Sequence, residues 1–172
     1  GTVQLCLATT FTCPLTGPVD PERVLRLVAD PRGAGTVDVV LADTLGQAHP
    51  RQVAELIGAV VEPARDRRIV FHGHDTWGMG VPNTLAAVDA GATMVDAALG
   101  GLGGCPFAPG ASGNTSTEDV LFALQPEWLD PQKFHELIAA ADTMLASLGE
   151  TSRSRAAAGA HGNGRRFAWT LP

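Results

Sequence analysis

No apolar run among the 172 residues approaches the roughly 20 that a membrane-spanning helix needs. The opening Gly1-Thr2-Val3-Gln4 lacks the basic region that precedes the apolar stretch of a signal peptide. The first 150 residues hold no Lys/Arg block, and the net charge of -6 is spread along the chain, which argues against a nucleic-acid or anionic-membrane surface. Paired cysteines are missing too. Cys6, Cys13 and Cys105 are odd in number and irregular in spacing, so they make neither a disulfide framework nor a paired CxxC zinc site. The expectation is a cytoplasmic protein with reduced thiols and a small soluble substrate, without nucleic-acid or membrane partners.

What is present is enough apolar material for one core: 45% of the residues are hydrophobic and 17% charged. Short apolar runs over 3–10, 36–41, 69–71 and 93–98 read as buried strands. Between them, Asp20-Pro21 and Pro50 open helices, and 82–91, 116–124 and 131–148 carry the helical pattern. Four strand-helix units with long crossovers predict an α/β fold on a parallel sheet, in either a doubly wound or a barrel arrangement. Residues 1–150 form the expected domain. From Thr151 onward the pattern is lost in Ser152-Arg153-Ser154-Arg155 and a glycine- and alanine-rich stretch, which predicts a mobile tail over 151–172 where Phe167 and Trp169 are the docking candidates.

The chemistry concentrates at the ends of these strands. In Phe71-His72-Gly73-His74-Asp75-Thr76 the two histidines are two residues apart, so a strand points both to one side, where they can share a divalent ion or simply hydrogen-bond. Asp75 falls on the opposite face or in the turn. Asp43-Thr44 closes the second strand and offers a carboxylate at the same rim, with loop capping as its other reading. After the fourth strand, the glycine-rich stretch 100–114 presents Cys105 on a loop able to approach a ligand closely, whereas Cys6 reads as a structural residue buried in a strand. Asn114 either caps the next helix, with Glu118 in its first turn, or gives its oxygen to a hard cation. Imidazoles with carboxylate and amide oxygens suit Mg²⁺ or Mn²⁺, and zinc is also permitted.

Two motifs give a family likeness. His72-Gly73-His74-Asp75-Thr76 resembles the His-x-His-Asp-Thr signature of metal-dependent Claisen-type lyases and aldolases built on (β/α)8 barrels. Gly101-Leu102-Gly103-Gly104-Cys105-Pro106, through Gly110-Ala111-Ser112-Gly113-Asn114-Thr115, resembles the cysteine loop of the 3-hydroxy-3-methylglutaryl-CoA lyase family. The likeness runs from about Val3 to Leu148 and includes Cys13-Pro14, Asp43-Thr44-Leu45-Gly46 and Thr117-Glu118-Asp119. It implies His72, His74 and Asn114 as metal ligands, Cys105 acting from its loop, and Asp43 and Glu118 in or beside the site. In full, it implies catalytic Cys105, Asp43 and His72, substrate contacts from Thr44, Gly104 and Glu118, and an acyl-CoA substrate cleaved with Mg²⁺ or Mn²⁺.

The chain departs from that pattern in one large respect. Such enzymes begin with four further strand-helix units, whose first strand carries an Arg-Asp pair supplying a metal ligand and a substrate contact, and no segment here provides them. At 172 residues the chain is well short of the roughly 250 typical of a complete barrel. The expectation is the C-terminal half of a (β/α)8 barrel, beginning in a core strand as a cut would, and a homodimer when full length. Trp77 and Phe107 stand where the family often has tyrosine. Two rivals remain: a non-catalytic half-barrel, and a related metal-dependent ketoacid aldolase, against which the Cys105 loop argues.

Overall fold

The computed structural model describes residues 1–104 and 113–163. The chain runs through β1 (Gln4–Leu7), a short antiparallel pair β2 (Thr12–Cys13) and β3 (Gly17–Pro18), then α1 (Pro21–Val28), β4 (Asp38–Asp43) and α2 (Pro50–Ala64). It continues with β5 (Arg68–Gly73), α3 (Gly80–Asp89), β6 (Met94–Asp96), α4 (Thr117–Leu124), α5 (Pro131–Ser147) and α6 (Arg155–Asn163). Three helices start at a proline preceded by a side chain that caps the free amides. Asp20 accepts from Glu22 N at 3.0 Å, and Asp130 from Lys133 N at 2.8 Å. At the third, the His49 ring accepts from Gln52 N while the Gln52 side chain accepts from His49 N, a reciprocal capping box. Ser116, and not Asn114, caps α4.

The principal sheet has the order β1-β4-β5-β6, with every neighbouring pair parallel. Strand alternation sorts its side chains onto two faces. Val39, Leu41, Ile69 and Phe71 lie among Val24, Val28, Val53, Leu56, Ile57 and Val60 in one apolar core under α1 and α2. Phe71 is fully buried and meets Phe11 edge-on, with ring centroids 6.5 Å apart. Along the outside, α1 packs on α2, α2 on α3, and α3 on α4.

The other face carries layers. Asp38 sits at the base and accepts from Arg68 Nε and Gln4 Nε2, both at 2.6 Å. Above it, register aligns Cys6, Val40, Val70 and Met94, and above those Ala42, His72 and Asp96. Consecutive helices ringing one face and stacked side-chain layers on the other are the geometry of a barrel segment; a doubly wound sheet would carry helices on both faces. Cys6, expected to be buried, is exposed because it lies on this inner face of the edge strand β1.

Residues 155–163, expected to fall in a mobile tail, form the helix α6. Alanine-rich sequence favours helix, and α6 is capped from a distance: Asp119 accepts from Ser154 Oγ and Ala156 N, each at 2.7 Å, and from Arg155 N at 3.3 Å. Ala157 is buried against Leu129, Phe134 and Ile138. Ser154 is also a local N-cap, its Oγ accepting from Ala157 N at 2.9 Å, while the Asp119 bonds come from 35 residues upstream. Phe167 and Trp169 lie outside the described residues, as does Phe107. Among the described residues, no helix is long and apolar enough to cross a membrane.

Candidate active site

His72, in the last turn of the β5 pleat, and His74, just beyond it, point to one side as their spacing requires. Their Nε2 atoms are 3.3 Å apart and their rings meet edge-on, with centroids 5.2 Å apart. His72 is partly exposed, and its Nδ1 is 3.7 Å from Asp96 Oδ2, the carboxylate of its register partner on β6. His74 is 5% exposed, and its Nδ1 has no hydrogen-bond partner among the described residues. Burial first, and then the neighbouring His72, lower the His74 pKa, so this ring is held neutral, the form that donates a lone pair to a metal. Asp75 does not join the pair: its Oδ1 accepts from Gly80 N at 2.7 Å and closes the turn into α3.

Asn114 comes to the histidines through backbone pairing. It forms an isolated antiparallel bridge with His74, flanked by Asp75 N donating to Gly113 O and Thr115 N donating to Gly73 O. Its Nδ2 donates to Leu102 O at 2.8 Å, which orients the amide and leaves Oδ1 as the acceptor available to a ligand. The two histidines pass a geometric test for a divalent cation. Two nitrogens each about 2.1 Å from one ion are about 3.0 Å apart at an octahedral angle and about 3.4 Å apart at a tetrahedral one, and the observed 3.3 Å lies within that span. Among the described residues, no group of three His, Cys, Asp or Glu side chains converges in a way that could hold a metal ion. Among the described residues, the groups that could face a cation here are two imidazoles and one amide oxygen. A cavity of about 650 Å³ opens beside Asn114, lined also by Thr76, Gly101 and Arg153.

The other predicted residues support this rim. Asp43 alternates with Leu41 onto the face opposite His72, and its two oxygens accept separately from Gln47 N at 3.1 Å and Ala48 N at 3.0 Å. Burial raises its carboxyl pKa, while the backbone bonds of Ala48, Gln47 and Gly46 oppose the rise. Capping was one of its two readings, and this geometry is a cap. An Asp43→Asn variant keeps one acceptor and aims an NH₂ group at the other amide. Loss of about 1–3 kcal/mol of stability is expected in denaturant unfolding. An unchanged midpoint would show that the cap contributes nothing.

Thr44 donates to Ala8 O and ties the end of β4 to that of β1. Glu118 is fully buried and accepts from Gly100 N at 2.9 and 3.0 Å and from Ser116 Oγ at 2.6 Å, so it anchors the start of the glycine-rich stretch. Gly104 is exposed at the edge of the described segment, and Cys105 lies outside the described residues. Sequence reasoning missed Asp96, which strand alternation could have placed beside His72. It also missed Arg153, for which no local signal exists.

Comparison with known proteins identifies the family. Residues 3–144 match the family model described as HMGL-like. An (R)-citramalyl-CoA lyase of Chloroflexus aurantiacus is 39% identical over 86% of this chain and 47% of its own length, and a hydroxymethylglutaryl-CoA lyase of Bacillus subtilis is 36% identical over 90% and 52%. An HMG-CoA lyase from Acinetobacter baumannii, solved in complex with coenzyme A and 3-methylmalate, superposes with a TM-score of 0.80 and 38% identity, covering 93% of this chain and 52% of that one. The chain spans about half the length of the curated relatives it matches. With the match extending over nearly all of the strand-helix units, the chain belongs to the HMGL-like family, and its sheet is part of that family's (β/α)8 barrel.

Proposed function

We propose that this chain supplies half of the active site of a carbon-carbon lyase that cleaves 3-hydroxy-3-methylglutaryl-CoA into acetyl-CoA and acetoacetate. The observation that carries the reading is the His72/His74 pair, with Nε2 atoms 3.3 Å apart at the carboxyl rim of a parallel sheet and Asn114 bridged to it. In the reaction the tertiary hydroxyl loses its proton and the bond between C2 and C3 breaks. The electron pair passes to the thioester enolate, a proton added at that carbon completes acetyl-CoA, and the former carbinol carbon becomes the ketone of acetoacetate. Mg²⁺ or Mn²⁺ held by His72, His74 and Asn114 would supply electrostatic stabilisation of the substrate oxygen as its proton leaves.

The chain's own residues divide the remaining work. His74, buried and neutral, serves as a fixed ligand. His72 serves as the second imidazole ligand, with its other nitrogen, Nδ1, 3.7 Å from the Asp96 carboxylate that backs the ring. Cys105 is assigned to shielding or protonating the enolate. Asp43, Thr44 and Glu118 act by holding the loops around the acyl-CoA, and Gly104 lets that loop approach it. The setting proposed is a homodimer of the full-length protein in the cytoplasm.

A second reading has a specific basis: the 39%-identical relative is named a citramalyl-CoA lyase, whose substrate name denotes a different hydroxyacyl thioester. The test is product release by the full reading frame that contains this chain, assayed with Mn²⁺ on 3-hydroxy-3-methylglutaryl-CoA and on citramalyl-CoA, beside the 172-residue chain alone. Acetoacetate from the first substrate supports the proposal. Faster cleavage of the second moves the assignment to citramalyl-CoA, and inertness toward both removes the lyase reading. The 172-residue chain alone is expected to be inactive, since it spans about half the length of its relatives and the family resemblance assigns an arginine and an aspartate to the other half; turnover by it would overturn that assignment.

A further inference from the structure

We propose that Arg153 is a positioning residue that sets the metal-binding geometry of Asn114 through the glycine strip between them, an inference that rests on the lyase reading above. Arg153 lies beyond the family-matched segment, which ends at residue 144. Its guanidinium donates from Nη1 to Gly101 O at 2.7 Å and to Gly103 O at 3.4 Å, and its backbone N donates to Gly100 O at 2.9 Å. The carbonyl between the two held by the guanidinium, that of Leu102, is the one that accepts from Asn114 Nδ2. One side chain therefore fixes the strip on both sides of the acceptor that orients the Asn114 amide.

The surroundings leave little slack for an alternative. A Cβ added at Gly103 would lie 2.7 Å from Asn114 Nδ2, and one at Gly113 would lie 2.9 Å from Arg153 Nη1. Arg153 is itself held in place: Glu150 lies 3.8 Å from its Nη2, and the next residue, Ser154, donates to Asp119. Both bonds leave a single nitrogen, Nη1, so a lysine ammonium, a point donor with three protons, can take its place at the strip. The consequence is that a residue with no contact to the cation sets the direction of its oxygen ligand, and residues that orient a ligand in this way are worth 10–100-fold in metal affinity.

The experiment is Mn²⁺ binding by titration calorimetry on the full reading frame, comparing wild type with Arg153→Ala, Arg153→Lys and His161→Ala. The last removes the 2.8 Å contact between His161 and Asp142, loosening α6 from α5 without touching the glycine strip. Arg153→Ala is expected to weaken Mn²⁺ binding about 10-fold or more, with kcat recovering at saturating Mn²⁺. Lysine should restore most of the affinity, and His161→Ala should stay within twofold of wild type. The proposal is overturned if Arg153→Ala binds Mn²⁺ like wild type, if His161→Ala weakens binding as much, or if saturating Mn²⁺ restores nothing. A wild-type protein that binds no Mn²⁺ would instead remove the metal reading beneath it. If the alanine variant folds poorly, Arg153→Met, which keeps most of the side-chain volume and cannot donate, is expected to show the same loss, and wild-type Mn²⁺ binding by it overturns the proposal.

Discussion

Replacement of His74 by alanine in the full reading frame is expected to lower lyase turnover by about 10³-fold or more and to abolish stabilisation by Mn²⁺. A divalent cation contributes several kcal/mol of charge stabilisation in the transition state, and each 1.36 kcal/mol is tenfold in rate. Loss of one of the two imidazoles, in a site whose only other donor among the described residues is Asn114, forfeits most of that. Binding adds a second readout: saturation at about 100-fold over Kd raises folding stability by about 2.7 kcal/mol, so the wild-type melting temperature should climb with Mn²⁺ and that of the variant should not. In the metal-free protein the two should melt alike to within about 2 kcal/mol. The variant opens a cavity but also removes a buried Nδ1 that has no partner among the described residues. Turnover within tenfold of wild type, or a melting temperature that still climbs with Mn²⁺, would remove His74 from the metal site.

The contrast between His74 and Asp43 shows what the sequence could and could not disclose. Histidines at a spacing of two on a strand must share a face, and the structure places their Nε2 atoms 3.3 Å apart as that rule requires. The same alternation sends Asp43 to the face of Leu41, but the sequence cannot name the amides of Gln47 and Ala48 that engage it, because they depend on how the loop closes. Glu118 is a similar case. Its place in the first turn of a helix was legible, whereas its bonds to Gly100, 18 residues away, come from tertiary packing.

Helix starts at Pro21, Pro50 and Pro131 were readable because cap and proline are local signals. At α6 a local cap exists as well, with Ser154 Oγ accepting from Ala157 N at 2.9 Å, but the bonds that tie this start to Asp119 on another helix come from tertiary packing. Exposure of Cys6 escaped prediction for a different reason: an apolar strand reads as buried on both faces, and only the sheet order makes β1 an edge whose inner face is open.

The same dependence on tertiary closure makes Gly113 the most sensitive backbone position near the site. Its φ is +101°, and a Cβ there would stand 3.0 Å from Gly101 O, 2.9 Å from Arg153 Nη1 and in direct collision with Gly103 O. Two of these three neighbours are main-chain atoms, which cannot rotate away as a flexible side chain would. A Gly113→Ala variant therefore pays twice, first for a left-handed conformation costing roughly 1–2 kcal/mol and then for displacing the strip from Gly101 to Gly103. Because Asn114 follows directly and is oriented by Leu102 O, that displacement moves its oxygen ligand. A shift of about 1 Å in a reacting geometry costs on the order of 10²-fold in rate. Turnover of the full reading frame should fall by that factor while the far end of the sheet, at Asp38 and Arg68, keeps its 2.6 Å ion pair. An alanine variant with wild-type turnover and Mn²⁺ affinity would mean that the strip can relax without moving Asn114, and the close-packed account of this rim would be wrong.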